Sequence, residues 1–146
     1  MESTTTYELS DLDKMGIMKS VNLVIFYKLL PNADLDTLLS SWKEGMKNAT
    51  RQLPFMAGHL QFDDSGRPCI EASPGHELEF EFRRFDTESH QGLSALAKSS
   101  FSPNGANLPQ FLPDKPTTQK PVCDLRLSLI DGGLVLGVRM NHGAGD

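Results

Sequence analysis

A chain of 146 residues fits one ordinary domain and can bury about two-thirds of its unfolded surface, so a real core is within reach. With 38% apolar and 23% charged residues, the composition is that of a soluble globular protein and not of a disordered or fibrous one. A net charge of −5 and a pI of about 5.3 argue against nucleic acid or an anionic membrane as the main partner, although an acidic protein can still hold an anionic cofactor in a local basic pocket.

The opening residues, Met1-Glu2-Ser3-Thr4-Thr5-Thr6, have neither the basic nor the apolar region of a secretory signal. The longest apolar-rich stretch, Val21 to Leu30, is interrupted by Asn22 and Lys28 and is too short to span a bilayer. Together these point to a soluble, cytoplasmic chain. Cys69 and Cys123 lie far apart with no metal-ligand spacing, which fits two reduced, partly buried thiols.

Ser20 to Leu30, rich in Val, Ile, Phe and Tyr, reads as a largely buried strand, and Pro31-Asn32 follows it as a turn. From Asp34 the period changes. Leu35, Leu38, Leu39, Trp42, Met46 and Ala49 recur at spacings of three and four and so share one helix face. Asp34 or Asn32 caps its start and Pro54 limits its end; the apolar stripe is read as core. Ala57 to Phe62 and Pro68 to Glu71 form a hairpin around Asp63-Asp64-Ser65-Gly66-Arg67. Glu77 to Phe85 alternates apolar with charged residues, the pattern of a strand with one wet face, and Leu93 to Phe101 suits a short helix.

Ser102 to Pro121 carries Pro103, Pro109, Pro113 and Pro116 before its closing Pro121, and is expected to be irregular, as functional loops often are. Two alternating runs, Val122 to Ile130 and Leu134 to Met140, close the chain around Asp131-Gly132-Gly133, a strong hairpin signal. His59, His76 and His90 sit in polar surroundings and read as surface or satisfied histidines. Arg83-Arg84 suits a phosphate or an exposed strand edge equally, and Asp63-Asp64 a solvated turn.

The chemistry-bearing candidate is His142-Gly143-Ala144-Gly145-Asp146, directly after the last strand. A strand fixes the histidine, and the glycines let backbone and substrate approach closely. An imidazole there suits general-base work near neutral pH, with the Asp146 carboxylate orienting it or holding the turn. H-x-x-x-D alone recurs by chance roughly once in a few hundred positions, so on these residues alone a polar turn is an equal reading.

Context adds to the motif. Leu9-Ser10-Asp11-Leu12-Asp13, then Leu53-Pro54-Phe55-Met56-Ala57-Gly58-His59-Leu60, then the Asp-Gly-Gly hairpin feeding Asn141-His142, follow one another in order. In this order they resemble the N-terminal half of the HxxxD, or BAHD-type, CoA-dependent acyltransferase superfamily, with a flavour similar to fungal trichothecene O-acetyltransferases of secondary metabolism. The resemblance implies a mixed α/β (α+β) fold, one chloramphenicol-acetyltransferase-like half with a mixed sheet and flanking helices over residues 1–146. It implies His142 as the base that activates a hydroxyl or amine of a small acceptor towards acyl-CoA, which is a co-substrate and not a resident cofactor. Asp146 would be mainly structural and turned towards an arginine, and no metal is implied. A second half is also expected, with most of the CoA-binding surface. The chain is then a truncated half completed by another half-domain or by a homo-oligomer. Two other functions fit the same residues: a CoA-independent cyclase or isomerase using His142 for proton transfer, and a non-catalytic half that works by association.

Overall fold

The computed structural model describes residues 3–16, 19–78, 80–88, 90–115 and 120–144. Among these residues, seven strands form two sheets. Strand β1 (Thr5–Glu8), β3 (His59–Phe62) and β4 (Pro68–Ala72) make a three-stranded antiparallel sheet in the order β1-β4-β3. Strand β2 (Ser20–Lys28), β5 (Phe80–Arg84), β6 (Cys123–Ile130) and β7 (Gly133–Asn141) make the larger sheet in the order β2-β7-β6-β5. Its pairings are antiparallel except that of β5 with β6, which is parallel. The fold is thus the mixed α/β arrangement expected.

The closing hairpin forms as the Asp-Gly-Gly signal predicts, with Ile130 opposite Gly133 and Gly132 at φ +70°, a conformation that costs glycine little. Helix α2 (Leu35–Gln52) starts where Asp34 accepts a hydrogen bond from the Asp36 amide at 3.2 Å, and Pro54 follows its end. The stripe Leu35, Leu38, Leu39, Trp42 and Met46 lies on Leu125, Leu127, Leu134 and Leu136 of the larger sheet, and Trp42 meets Tyr27 edge-on at 6.0 Å. Near the helix end, the buried Thr50 hydroxyl donates to Met46 O at 3.0 Å and accepts the Leu78 amide at 2.8 Å, which fixes the approach to β5.

The opposite face of that sheet is covered by α3 (Leu93–Lys98), α4 (Pro103–Ala106) and a 3₁₀ turn at Leu108–Phe111. Leu96, Ala106 and Phe111 pack there on Ile130 and Val135, with Val24 and Phe26 of β2 at the border. The proline-rich stretch is therefore irregular but seated. Phe111 crosses directly over Gly137, where a methyl group would fall 1.8 Å from Phe111 O, so only glycine admits the crossing chain. Farther along, the buried Arg126 guanidinium donates to Glu81 at 2.8 Å and to the carbonyls of Gln110 and Leu112. It also lies 3.1 Å from Asp114, close as an ion pair although not aligned as a hydrogen bond.

Four features differ from the sequence expectation. Strand β2, expected to be largely buried, is an edge strand with six exposed and three half-buried residues, because β7 is its only described neighbour in the sheet. The third strand starts at His59, because Pro54–Ala57 forms a 3₁₀ turn with proline at its first position, where the missing N–H costs nothing. Strand β1 and helix α1 (Asp11–Gly16) were not anticipated. The first is threonine-rich and exposed, and the second buries none of its residues, so neither carries an apolar period. The two sheets are tied by residues 120–122. Leu60 N donates to Lys120 O at 2.8 Å and Val122 N donates to Gly58 O at 3.0 Å, immediately before β6 begins.

Candidate functional site

Strand β7 carries the chain to His142, which opens a 3₁₀ turn over His142–Ala144. The turn is held on three sides. Asn141 N donates to Val122 O at 2.8 Å, His142 N donates to Lys19 O at 3.0 Å, and Gly143 N donates to the Asn141 side-chain carbonyl at 2.9 Å. Gly143 is buried, and Ala144 packs against the cluster of Leu9, Ile70 and Val122. The end of α1 presses on the same turn. A methyl group at Gly16 would sit 3.2 Å from Gly143 N and 3.3 Å from His142 Nδ1. His142 itself is half-buried. Asp146 lies outside the described residues.

The site thus places a histidine at the end of β7, braced by the main-chain carbonyls of Lys19 and Val122, which immediately precede β2 and β6 of the larger sheet. Sequence reasoning picked out His142 but not its supports. Lys19 and Val122 act through carbonyls, which no side-chain pattern announces, and Gly16 acts by lacking a side chain. Asn141 stood beside the motif without an assigned role.

Two residues before His142, Met140 is opposite Cys123, and Arg139 is opposite Asp124. Burial raises the Asp124 carboxyl above its usual range, with Arg139 and His59 pulling it back. Burial also pushes the Cys123 thiol up to about 11, and Cys69 is raised mainly by burial as well. Both cysteines are free, buried and therefore held as thiols at neutral pH, a poor state for a nucleophile.

His59 and His76 face each other at 6.5 Å between ring centres, and they line a recess of about 500 Å³ with Gly58, Leu78, Pro121 and Asp124. His90 packs on Phe85 at 4.4 Å and lies 3.9 Å from Asp86. Arg83 is engaged by Glu81 and by Asp114 at 2.9 Å, and Arg84 lies over the Phe82 ring, so both have partners within the protein. Asp63 holds its turn by accepting the Ser65 and Arg67 amides at 2.8 Å. Among the described residues no group of three or more His, Cys, Asp or Glu is placed to hold a metal ion, and no helix is long and apolar enough to cross a membrane.

No family model matches the chain. Among curated proteins, it is 26% identical to "Acyltransferase cm3D" of Cordyceps militaris over 95% of its own length and 32% of that protein. Among solved structures, it superposes on TRI101 of F. sporotrichioides, crystallised with coenzyme A and T-2, at a TM-score of 0.76 and 21% identity. That match covers 97% of this chain and 37% of the other. Vinorine synthase matches at a TM-score of 0.65 and 18% identity, over 94% of this chain and 33% of that one. The chain therefore spans about a third of the length of each of these proteins. The resemblance to HxxxD acyltransferases read from the sequence is matched by an acyltransferase relative over nearly the whole chain, and the fold is that of the solved structures.

Proposed function

We propose that residues 1–146 form one part, about a third, of an acyl-CoA-dependent acyltransferase, with His142 as its general base. In this reading the imidazole removes the proton from a hydroxyl or amine of a small acceptor. The freed oxygen or nitrogen attacks the thioester carbonyl of acyl-CoA. The tetrahedral intermediate then collapses, expelling the CoA thiolate, which takes up the proton. No acyl-enzyme is required, in keeping with two buried cysteines held in the thiol form. Asp146 is assigned the supporting role, keeping the turn and the imidazole in place. Acyl-CoA is a co-substrate, as coenzyme A in the TRI101 crystals suggests.

The observation that carries the reading is the bracing of His142 from Lys19, Asn141 and the Gly16 end of α1, which is the positioning a base needs. The reading also assigns about two-thirds of the complete catalyst to further chain, since the matched proteins are about three times as long.

The test exchanges this chain for the matched third of the Cordyceps militaris acyltransferase and follows thiol release from acetyl-CoA in the presence of an alcohol acceptor. The chimera is expected to transfer the acyl group, and His142→Ala to lower its rate by about 10²–10⁴-fold with little change in melting. The 146-residue chain alone is expected to show no such turnover. A His142→Ala chimera as fast as its parent at neutral pH overturns the base assignment, and full activity in the isolated monomer overturns the requirement for further chain.

A further inference from the structure

The two edges of the larger sheet are built differently. Strand β5 places Glu81, Arg83 and Arg84 among five residues, a density of charge that blocks pairing with another strand. Strand β2 forms the other edge. Its inner side is bonded to β7 from Ser20 opposite Asn141 to Lys28 opposite Gly133, and its outer side pairs with no other described strand. Over nine residues it has no proline, no glycine and one charge, Lys28, at its very end. Leu23, Ile25 and Tyr27 alternate on one face and are 50%, 41% and 40% exposed. Such an edge is a template for strand addition.

We propose that the outer edge of β2 pairs with β2 of a second copy of this chain, antiparallel about a two-fold axis at Val24. The occupant follows from the strand's own symmetry. In that register Val24 faces its counterpart, Leu23 faces Ile25, Val21 faces Tyr27, Asn22 faces the half-buried Phe26, and Lys28 faces Ser20. Every exposed apolar side chain meets another, and no like charges are opposed. Because opposite residues in an antiparallel pair share a face, both α2 helices come to lie on the same side of one eight-stranded sheet. Leu23 and Ile25 of the two copies form an apolar strip between them. This goes beyond the acyl-transfer reading and does not depend on it.

Sedimentation of the 146-residue chain should give a dimer of twice the 16.1 kDa monomer mass at micromolar concentration. The Leu23→Lys, Ile25→Lys double variant sets lysine against lysine across the axis. It should weaken the dimer about 100-fold or more while the monomer melts cooperatively. Under mild oxidation, Val24→Cys should link to its own copy, whose Cα lies within disulfide reach in this register, whereas Val21→Cys should not. A monomer at all concentrations, a dimer indifferent to the two lysines, or linking through position 21 and not 24 overturns the proposal. So does pairing of this edge with a different chain only.

Discussion

The turn at His142 is held in part through the main-chain carbonyls of Lys19 and Val122, so the position of the histidine depends on what its neighbours lack as well as on what they carry. Gly16 is the clearest case, with His142 Nδ1 and Gly143 N just beyond where its side chain would begin. Gly16→Ala favours the end of α1 by up to about 1 kcal/mol through helix propensity, and crowding of the 3₁₀ turn costs a similar amount. The expected outcome is a nearly unchanged melting temperature with acyl transfer by the chimera reduced about tenfold, mostly in kcat. Equal kinetics for the two forms would show that α1 does not position the histidine. At this scale the site was legible only in part. The imidazole and its glycines stand together in sequence, whereas Lys19 O and Val122 O come from more than a hundred and from twenty residues away, as carbonyls every residue shares.

Among the elements, those with a strong local period were legible: α2 from its spacing of three and four, and the β6–β7 hairpin from alternation around Asp131-Gly132. Helix α1 has no buried face to create a period, and the parallel pairing of β5 with β6 joins segments about forty residues apart by contacts that no local pattern encodes. The α2 assignment gives a direct prediction. Trp42 is half-buried against Tyr27 and the Leu125–Leu136 cluster, so Trp42→Ala should cost about 2–3 kcal/mol in denaturant unfolding, at the low side for a large aromatic. A loss below half a kcal/mol would mean the helix is not anchored by this residue.

For the molecule as a whole, the Arg126 cluster joins β5, β6 and the 110–114 segment and makes stability depend on acid. Burial raises the Glu81 carboxyl, but Arg126 and Arg83 outweigh it and leave it below its ordinary 4.5. The Asp114 carboxyl is lowered from 3.8, chiefly by its interaction with Arg126. Both pKa values are depressed by folding, so their stabilisation is full above the ordinary values and is lost as pH falls through the folded ones. Arg126→Met should cost about 1–3 kcal/mol at neutral pH by stranding the Gln110 and Leu112 carbonyls. The gap between wild type and variant should narrow as pH drops from about 6 to 3. A gap independent of pH in denaturant titrations would remove the ion pairs from the account.

Residues 120–122 belong to the edge of one sheet and lead into the centre of the other, and Val122 O also holds the strand that ends at His142. Opening the three-stranded sheet therefore strips bonds from the larger one, so the two cannot come apart as separate units. In hydrogen–deuterium exchange, the amides of Leu60, Val122 and Asn141 should share one protection factor and lose it together in denaturant. The peptide that carries the catalytic candidate would then report, through its exchange rate, on the integrity of a sheet on which it does not lie.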